Sequence, residues 1–82
     1  MQRSREIVEV DERELKALGA TIRMLRKEIG LSQEALADLA GLDRSHMGRI
    51  ERGERNLAVV NLLKIRRALG ISGAQLMAVA GL

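Results

Sequence analysis

The chain contains 82 residues, has a formal net charge of +3, and lacks cysteine, phenylalanine, tyrosine and tryptophan. A chain of this length forms one domain near the lower size limit for independent folding, and its core must be aliphatic. The missing cysteines exclude disulfides and thiolate metal sites. No apolar run approaches the roughly 18 residues of a membrane span, and no secretory signal opens the chain, so we expect a cytoplasmic protein without a membrane partner.

Residues 1–10 form an N-terminal segment that is the one candidate for disorder, and residues 11–82 are expected to form a single domain. Asp11 and the glutamate three residues later form the pattern of a capping box at the start of a first helix. Leucine and isoleucine then recur at spacings of three and four as far as Ile29, which predicts one apolar stripe. Gly19 interrupts this stripe at a cost of about 1 kcal/mol relative to alanine, so the helix is expected to begin nearer Leu18.

Four further helices follow, each marked by residues that favour helix ends. Ser32, Asp43 and Ser72 are the expected N-caps, and glycines stop the second, third and fourth helices. The expected helical ranges are 32–40, 44–52, 58–69 and 72–79. Proline is absent, and the alternation of apolar and polar residues that is typical of strands is almost absent. The pattern therefore predicts an all-α fold.

The third helix carries arginines and a glycine on its polar face. At about 100° per residue this face spans roughly 140°, and it comprises Arg44, Ser45, Gly48, Arg49 and Arg52. Arginine can donate a bidentate pair of hydrogen bonds to guanine O6 and N7, or it can bind phosphates. Glycine weakens a helix but lets its surface approach another closely, so this face predicts contact with DNA. The alternative is that Gly48 is a tolerated defect and the arginines merely solvate a surface helix.

Residues 18–76 resemble the helix-turn-helix domain shared by lambdoid phage repressors and Cro, the XRE group of bacterial regulators, and restriction–modification controller proteins. The resemblance is carried by the segments IRMLRKEIGLSQEALADLAGLDRSHMGRIERGERN and LLKIRRALGIS. It implies a compact five-helix, lambda-repressor-like DNA-binding domain whose second and third helices form the helix-turn-helix.

The resemblance also implies roles for individual residues. Arg44, Ser45 and Arg49 match the positions that reach base edges from the recognition helix. The positions expected to contact the DNA backbone are Gln33, Arg52, Arg55 and Asn56. His46, the single histidine, lies at the flank of the recognition helix, where a phosphate or sugar contact and a solvated position are both open. No second ligand type near His46 points to a metal.

Arg26 and Glu51 match a pair that forms a largely buried salt bridge between the first and third helices. We interpret this pair as scaffold that holds the recognition helix at its angle, rather than as part of the DNA contact. Removal of one partner would leave a buried charge without its counterion, at a cost of about 3–5 kcal/mol.

The C-terminal segment carries apolar residues that are candidates for a dimer interface. A domain of this size covers little DNA as a monomer, and members of the family that it resembles dimerise. The candidate interface residues are Leu76, Met77, Val79 and Leu82. The alternative is that Leu76 and Val79 close the core. A dimer predicts two half-sites about one helical turn apart, ~34–36 Å.

Two functions of different classes remain open. The first is a sequence-specific transcription regulator that binds a (pseudo)palindromic operator in double-stranded DNA as a homodimer. The second is an antitoxin-type module that uses the same fold to bind a protein. An enzyme is the poorest interpretation, because no phosphate-binding loop, metal-ligand cluster or paired nucleophile and base is present. We expect no cofactor and no small-molecule effector.

Overall fold

The computed structural model describes residues 11–54 and 57–82, and within these ranges it contains helices and no strand. The five helices are α1 (Glu12–Glu28), α2 (Gln33–Ala40), α3 (Arg44–Glu51), α4 (Val59–Leu69) and α5 (Gly73–Val79). This arrangement confirms the predicted all-α, five-helix fold. The N-terminal segment 1–10, with its predicted disorder, lies outside the described residues. None of the described helices is long and apolar enough to cross a membrane.

The serine caps lie where the sequence predicts them. The Ser32 hydroxyl accepts a hydrogen bond from the backbone amide of Ala35 at 3.0 Å, and Ser72 and Gln75 form a reciprocal capping box. These bonds satisfy amides in the first turns of α2 and α5 that have no partner within the helix. Each cap therefore fixes where its helix begins.

The two aspartate caps differ from the expectation. The Asp11 carboxylate accepts from the backbone amide of Arg13 at 2.8 Å, so the expected capping box with Glu14 is not formed. Asp43 occupies the N-cap position of α3, but its side chain makes no capping bond to the helix and accepts from the Ser45 hydroxyl instead. The start of α3 is therefore fixed by packing more than by a side-chain cap.

An aliphatic core lies where all five helices meet. Its buried apolar members are Leu18, Ile22, Leu36, Ala37, Ala40, Met47, Ile50, Ile65, Leu69 and Leu76. The predicted apolar stripe of α1 holds at Leu18 and Ile22 but not at Ile29, whose surface is 52% exposed. The reason is that α1 ends at Glu28, so Ile29 no longer follows the helical repeat.

Gly19 lies inside α1, which runs without a break from Glu12, so the expected start nearer Leu18 is wrong. A Cβ atom at this position would lie 2.4 Å from the backbone oxygen of Ile50 and 2.7 Å from that of Glu51. The glycine thus lets α1 touch the backbone at the end of α3. Glycine lowers the helix propensity at this position, but a residue with a side chain would prevent the close approach.

The substitution Gly19→Ala should destabilise the fold by about 1–3 kcal/mol, because backbone overlap outweighs the gain in helix propensity. Urea unfolding followed by circular dichroism measures this change. The matched control is Gly73→Ala, since a Cβ atom at Gly73 meets nothing within 4 Å. A Gly19→Ala variant as stable as the wild type would contradict the close approach of α1 and α3.

Candidate nucleic-acid interface

Helices α2 and α3 are joined by a three-residue turn, residues 41–43. Gly41 adopts a left-handed conformation with φ of 69°, which a residue with a side chain adopts at a cost. The next amide, that of Leu42, donates to the Ala37 carbonyl at 2.8 Å. Met47 and Ile50 then anchor α3 in the core. The result is a helix-turn-helix in which one face of α3 is held by packing and the other faces outward.

The predicted base-reading residues all lie on the outward face of α3. Arg44, Ser45 and Arg49 are exposed. Arg44 Nη1 lies 4.0 Å from Glu34 Oε2, and the two side chains are 69% and 67% exposed. An ion pair this exposed and this long is weak, so Arg44 can change partner readily. Arg49 forms no ion pair with any residue in the described ranges 11–54 and 57–82.

The expected role of Gly48 as an open point on the DNA-facing surface is wrong, because Gly48 is buried. A Cβ atom there would lie 3.2 Å from Arg52 Nη1 and 3.3 Å from Gln33 Oε1. These two side chains cover the glycine. The missing side chain therefore makes room for Gln33 and Arg52 rather than for a DNA backbone.

A buried ion pair joins α1 to the last turn of α3. Arg26 Nε donates to Glu51 Oε2 at 2.7 Å and Arg26 Nη2 donates to Glu51 Oε1 at 3.0 Å, with the side chains 9% and 3% exposed. The third nitrogen, Nη1, donates to the Leu31 carbonyl at 2.9 Å. The carboxylate of Glu51 raises the pKa of Arg26 above its ordinary value. The guanidinium is therefore charged, and each of its three nitrogens donates a hydrogen bond, as a scaffold requires.

Gln33 connects this ion pair to the surface. It is the first residue of α2 and is partly buried, and its Nε2 donates to Glu51 Oε1 at 3.1 Å. Its amide oxygen lies over Gly48. The candidate phosphate contact at the start of α2 is thus held by the same carboxylate that holds Arg26.

Two other predicted backbone contacts, Arg55 and Asn56, lie outside the described residues. Arg52 is exposed at the end of α3, with its Nε 3.3 Å from Glu54 Oε1. The structure adds Arg23 of α1 to these candidates. Arg23 shares a depression of about 140 Å³ with Gln33 and Arg52, among other residues. Its position three residues before Arg26 places it one turn away on the same side of α1.

His46 has a partner inside the protein. It is partly buried, and its Nε2 accepts from Asn61 Nδ2 at 3.0 Å. The interpretation of His46 as a merely solvated residue is therefore wrong, since its ring links α3 to α4. Within the described ranges, no group of three or more His, Cys, Asp or Glu side chains could hold a metal ion.

The four candidate dimer residues separate into two groups. Leu76 is 0% exposed and belongs to the core, so its assignment to a dimer interface is wrong. The reason is that α5 packs against both α1 and α4, which enclose Leu76. Met77 is partly buried, whereas Val79 and Leu82 are 52% and 46% exposed. The outer two residues remain available to a partner.

Comparison with known proteins identifies the family. A family model described as helix-turn-helix matches residues 22–76. The chain belongs to this XRE-type helix-turn-helix family. Members of the family are DNA-binding transcription regulators rather than enzymes, and the chain falls in that class.

Several relatives are similar over most of the chain. It is 46% identical to the control protein C.MunI of Mycoplasma sp. over 59 residues, 71% of this chain and 80% of that protein. It is 41% identical over 68 residues to a hypothetical transcription factor of Neisseria meningitidis, covering 82% of this chain but only 64% of that relative's length. The solved structure of the restriction–modification controller protein C.AhdI from Aeromonas hydrophila has a TM-score of 0.74 and 51% identity, covering 77% of this chain and 96% of that one.

Loss of either partner of the buried ion pair should destabilise the protein by about 3–5 kcal/mol, because the remaining charge stays buried without its counterion. Glu51→Leu and Arg26→Met are the single changes, and the double variant should recover most of the loss. Urea unfolding of the four proteins gives the coupling free energy between the two residues. Strictly additive single effects would show that the pair does not act as a unit.

Proposed function

We propose that the chain is a sequence-specific transcription regulator that binds a (pseudo)palindromic operator in double-stranded DNA as a homodimer, with α3 in the major groove. The observation that carries this proposal is the division of α3 into two faces. Met47, Ile50 and Glu51 fix the helix from the inside, while Arg44 and Arg49 are exposed on the outside. A helix held in this way presents its outer side chains at a fixed angle to a groove.

The outer face of α3 offers the donors that base recognition needs. An arginine can donate two parallel hydrogen bonds to guanine O6 and N7, and a serine hydroxyl can donate or accept at several bases. Arg49 is free of ion pairs with the described residues, so it reaches a base without giving up a partner. We assign base reading to Arg44, Ser45 and Arg49, with Arg49 as the principal residue.

Contacts to the DNA backbone belong to the rim of this face. The backbone amides at the start of α2 favour a phosphate, because they lack partners within the helix and lie at its positive end. Gln33 stands at that end of α2, and Arg52 and Arg23 lie beside it. These side chains would fix the register of α3 in the groove. His46 is held by Asn61 with its second ring nitrogen left for a sugar or phosphate.

The homodimer is supported by exposed apolar side chains at the C-terminal end of the chain. Val79 and Leu82 are each about half exposed, and Met77 is partly buried and packs against the core. A two-fold axis brings the same apolar patch of two copies together and removes both from water. Two recognition helices would then meet two half-sites about one helical turn apart, ~34–36 Å.

The names of the relatives support a role in the control of gene expression. Two of them, C.MunI and C.SmaI of Serratia marcescens, are control proteins, and C.AhdI is a restriction–modification controller protein. We infer that this chain controls expression by binding upstream of the gene or genes that it regulates.

The test is the affinity of the protein for labelled duplex from the region upstream of its own gene, compared with random duplex over a salt series. We expect tighter binding to the upstream duplex and a steep loss of affinity with salt, since phosphate contacts release counterions. Arg49→Ala should lose about 5- to 150-fold for each half-site on the upstream duplex, from the ~1–3 kcal/mol of a bidentate base contact, and little on random duplex.

Arg52→Ala should weaken both duplexes alike and reduce the salt dependence by about one counterion for each half-site. Arg67→Ala is the charge-matched control, because Arg67 is exposed on α4 beside Val60, Leu63 and Lys64 and should change neither affinity much. No preference for the upstream duplex, together with a flat salt dependence, would contradict operator binding. That result would favour the antitoxin-type alternative.

A further inference from the structure

Three of the four polar side chains on the outer face of α3 already have a carboxylate partner in the free protein. Arg44 lies 4.0 Å from Glu34. The Ser45 hydroxyl donates to the Asp43 carboxylate. Beyond the last turn of α3, Arg52 lies 3.3 Å from Glu54. The acids come from α2, from the turn before α3 and from the segment after α3.

The positive charges of this surface are nearly matched by carboxylates. Arg44, Arg49 and Arg52, with Arg23 at the rim, are positive, and Glu34, Asp43 and Glu54 are negative. Glu51 does not enter this comparison, because it is buried with Arg26. A surface meant only to attract phosphates would carry a large excess of positive charge. The described part of this surface instead carries an excess of one.

The carboxylate of Asp43 remains ionised well below neutral pH. The hydrogen bond from the Ser45 hydroxyl lowers the pKa of Asp43, and the nearby positive charge of Arg49 lowers it further. Its negative charge is therefore present whenever DNA approaches at physiological pH.

These carboxylates lower the affinity for random DNA and the affinity for the correct sequence to different extents. A phosphate that approaches Arg44 or Arg52 meets the negative charge of Glu34 or Glu54 within the screening length of about 8 Å at physiological salt. On random DNA, phosphates are the main partners available to these arginines, so the repulsion is felt in full. On the correct sequence, base edges supply new hydrogen bonds that replace the carboxylate. Because the ion pairs are exposed and weak, they can open there.

We propose that Glu34 and Asp43 are specificity-determining residues, which lower the affinity for random DNA by occupying the donors of Arg44 and Ser45 until base edges replace them. Glu54 pairs with Arg52, the proposed phosphate contact, so it lowers the affinity for all DNA alike. This proposal rests on the proposed function, since it presupposes an operator that the protein distinguishes from other DNA. None of the three residues is assigned a stabilising role in the core, because all three side chains are exposed.

The experiment compares Glu34→Gln, Asp43→Asn and Glu54→Gln with the wild type. Equilibrium binding to random duplex and to the upstream duplex is measured at 0.15 M and 0.05 M salt. Each change should raise the affinity for random duplex about two- to five-fold, the range of one exposed ion pair. For Glu34→Gln and Asp43→Asn the affinity for the upstream duplex should rise less, so the ratio between the two affinities falls. Glu54→Gln should raise both affinities alike.

Asp38→Asn is the matched control. Asp38 is an exposed acid of α2, one helical turn beyond Glu34, and it forms no ion pair with the described residues. The change removes the same charge from the same helix, and it should leave the affinity ratio unchanged. Urea unfolding of all four variants should match the wild type, which separates an electrostatic effect from a loss of fold.

Two results would overturn the proposal, and they are distinguishable. If the wild type prefers the upstream duplex but Glu34→Gln and Asp43→Asn leave the affinity ratio unchanged, as Asp38→Asn does, operator binding stands and the carboxylates have no part in specificity. If the wild type binds both duplexes equally, operator binding itself fails, and the proposed role of the carboxylates fails with it.

Discussion

The buried ion pair between Arg26 and Glu51 is the constraint on which the orientation of the recognition helix depends. It joins the last turn of α1 to the end of α3 through two short hydrogen bonds. The same guanidinium also holds the Leu31 carbonyl just before α2. Because the charges are buried, neither partner can leave without a large loss of free energy. The three helices that form the interface are therefore fixed to one another at one place.

The glycines of the interface serve the same constraint. Gly19 brings the backbone of α1 against the last turn of α3, where Glu51 lies. Gly48 leaves space for Gln33, which donates to the Glu51 carboxylate. Gln33 therefore belongs both to the scaffold and to the candidate phosphate contact at the start of α2. Gln33 thus links the ion pair to the start of α2, because its amide and the Arg26 guanidinium both donate to Glu51 Oε1.

The sequence predicts those features of the structure that depend on neighbours along the chain. The serine caps at Ser32 and Ser72 and the left-handed Gly41 follow from local rules, and so does the burial of Met47 and Ile50. The local pattern is misleading at Gly19 and Gly48, because each glycine makes room for a contact with an element distant in sequence. Leu76 was misassigned for the same reason, since its burial depends on where α5 meets α1 and α4. The contact of His46 with Asn61, 15 residues away, leaves no local pattern either.

In the proposed complex, α3 reads base edges in the major groove at two half-sites. Methylation interference on the upstream duplex tests it directly, because dimethyl sulfate modifies guanine N7 in the major groove and adenine N3 in the minor groove. We predict that N7 methylation of guanines in two clusters about one helical turn apart blocks binding. In the Arg49→Ala variant, one guanine in each cluster should lose its effect. Interference confined to adenine N3, or an identical guanine pattern in the variant, would contradict the account.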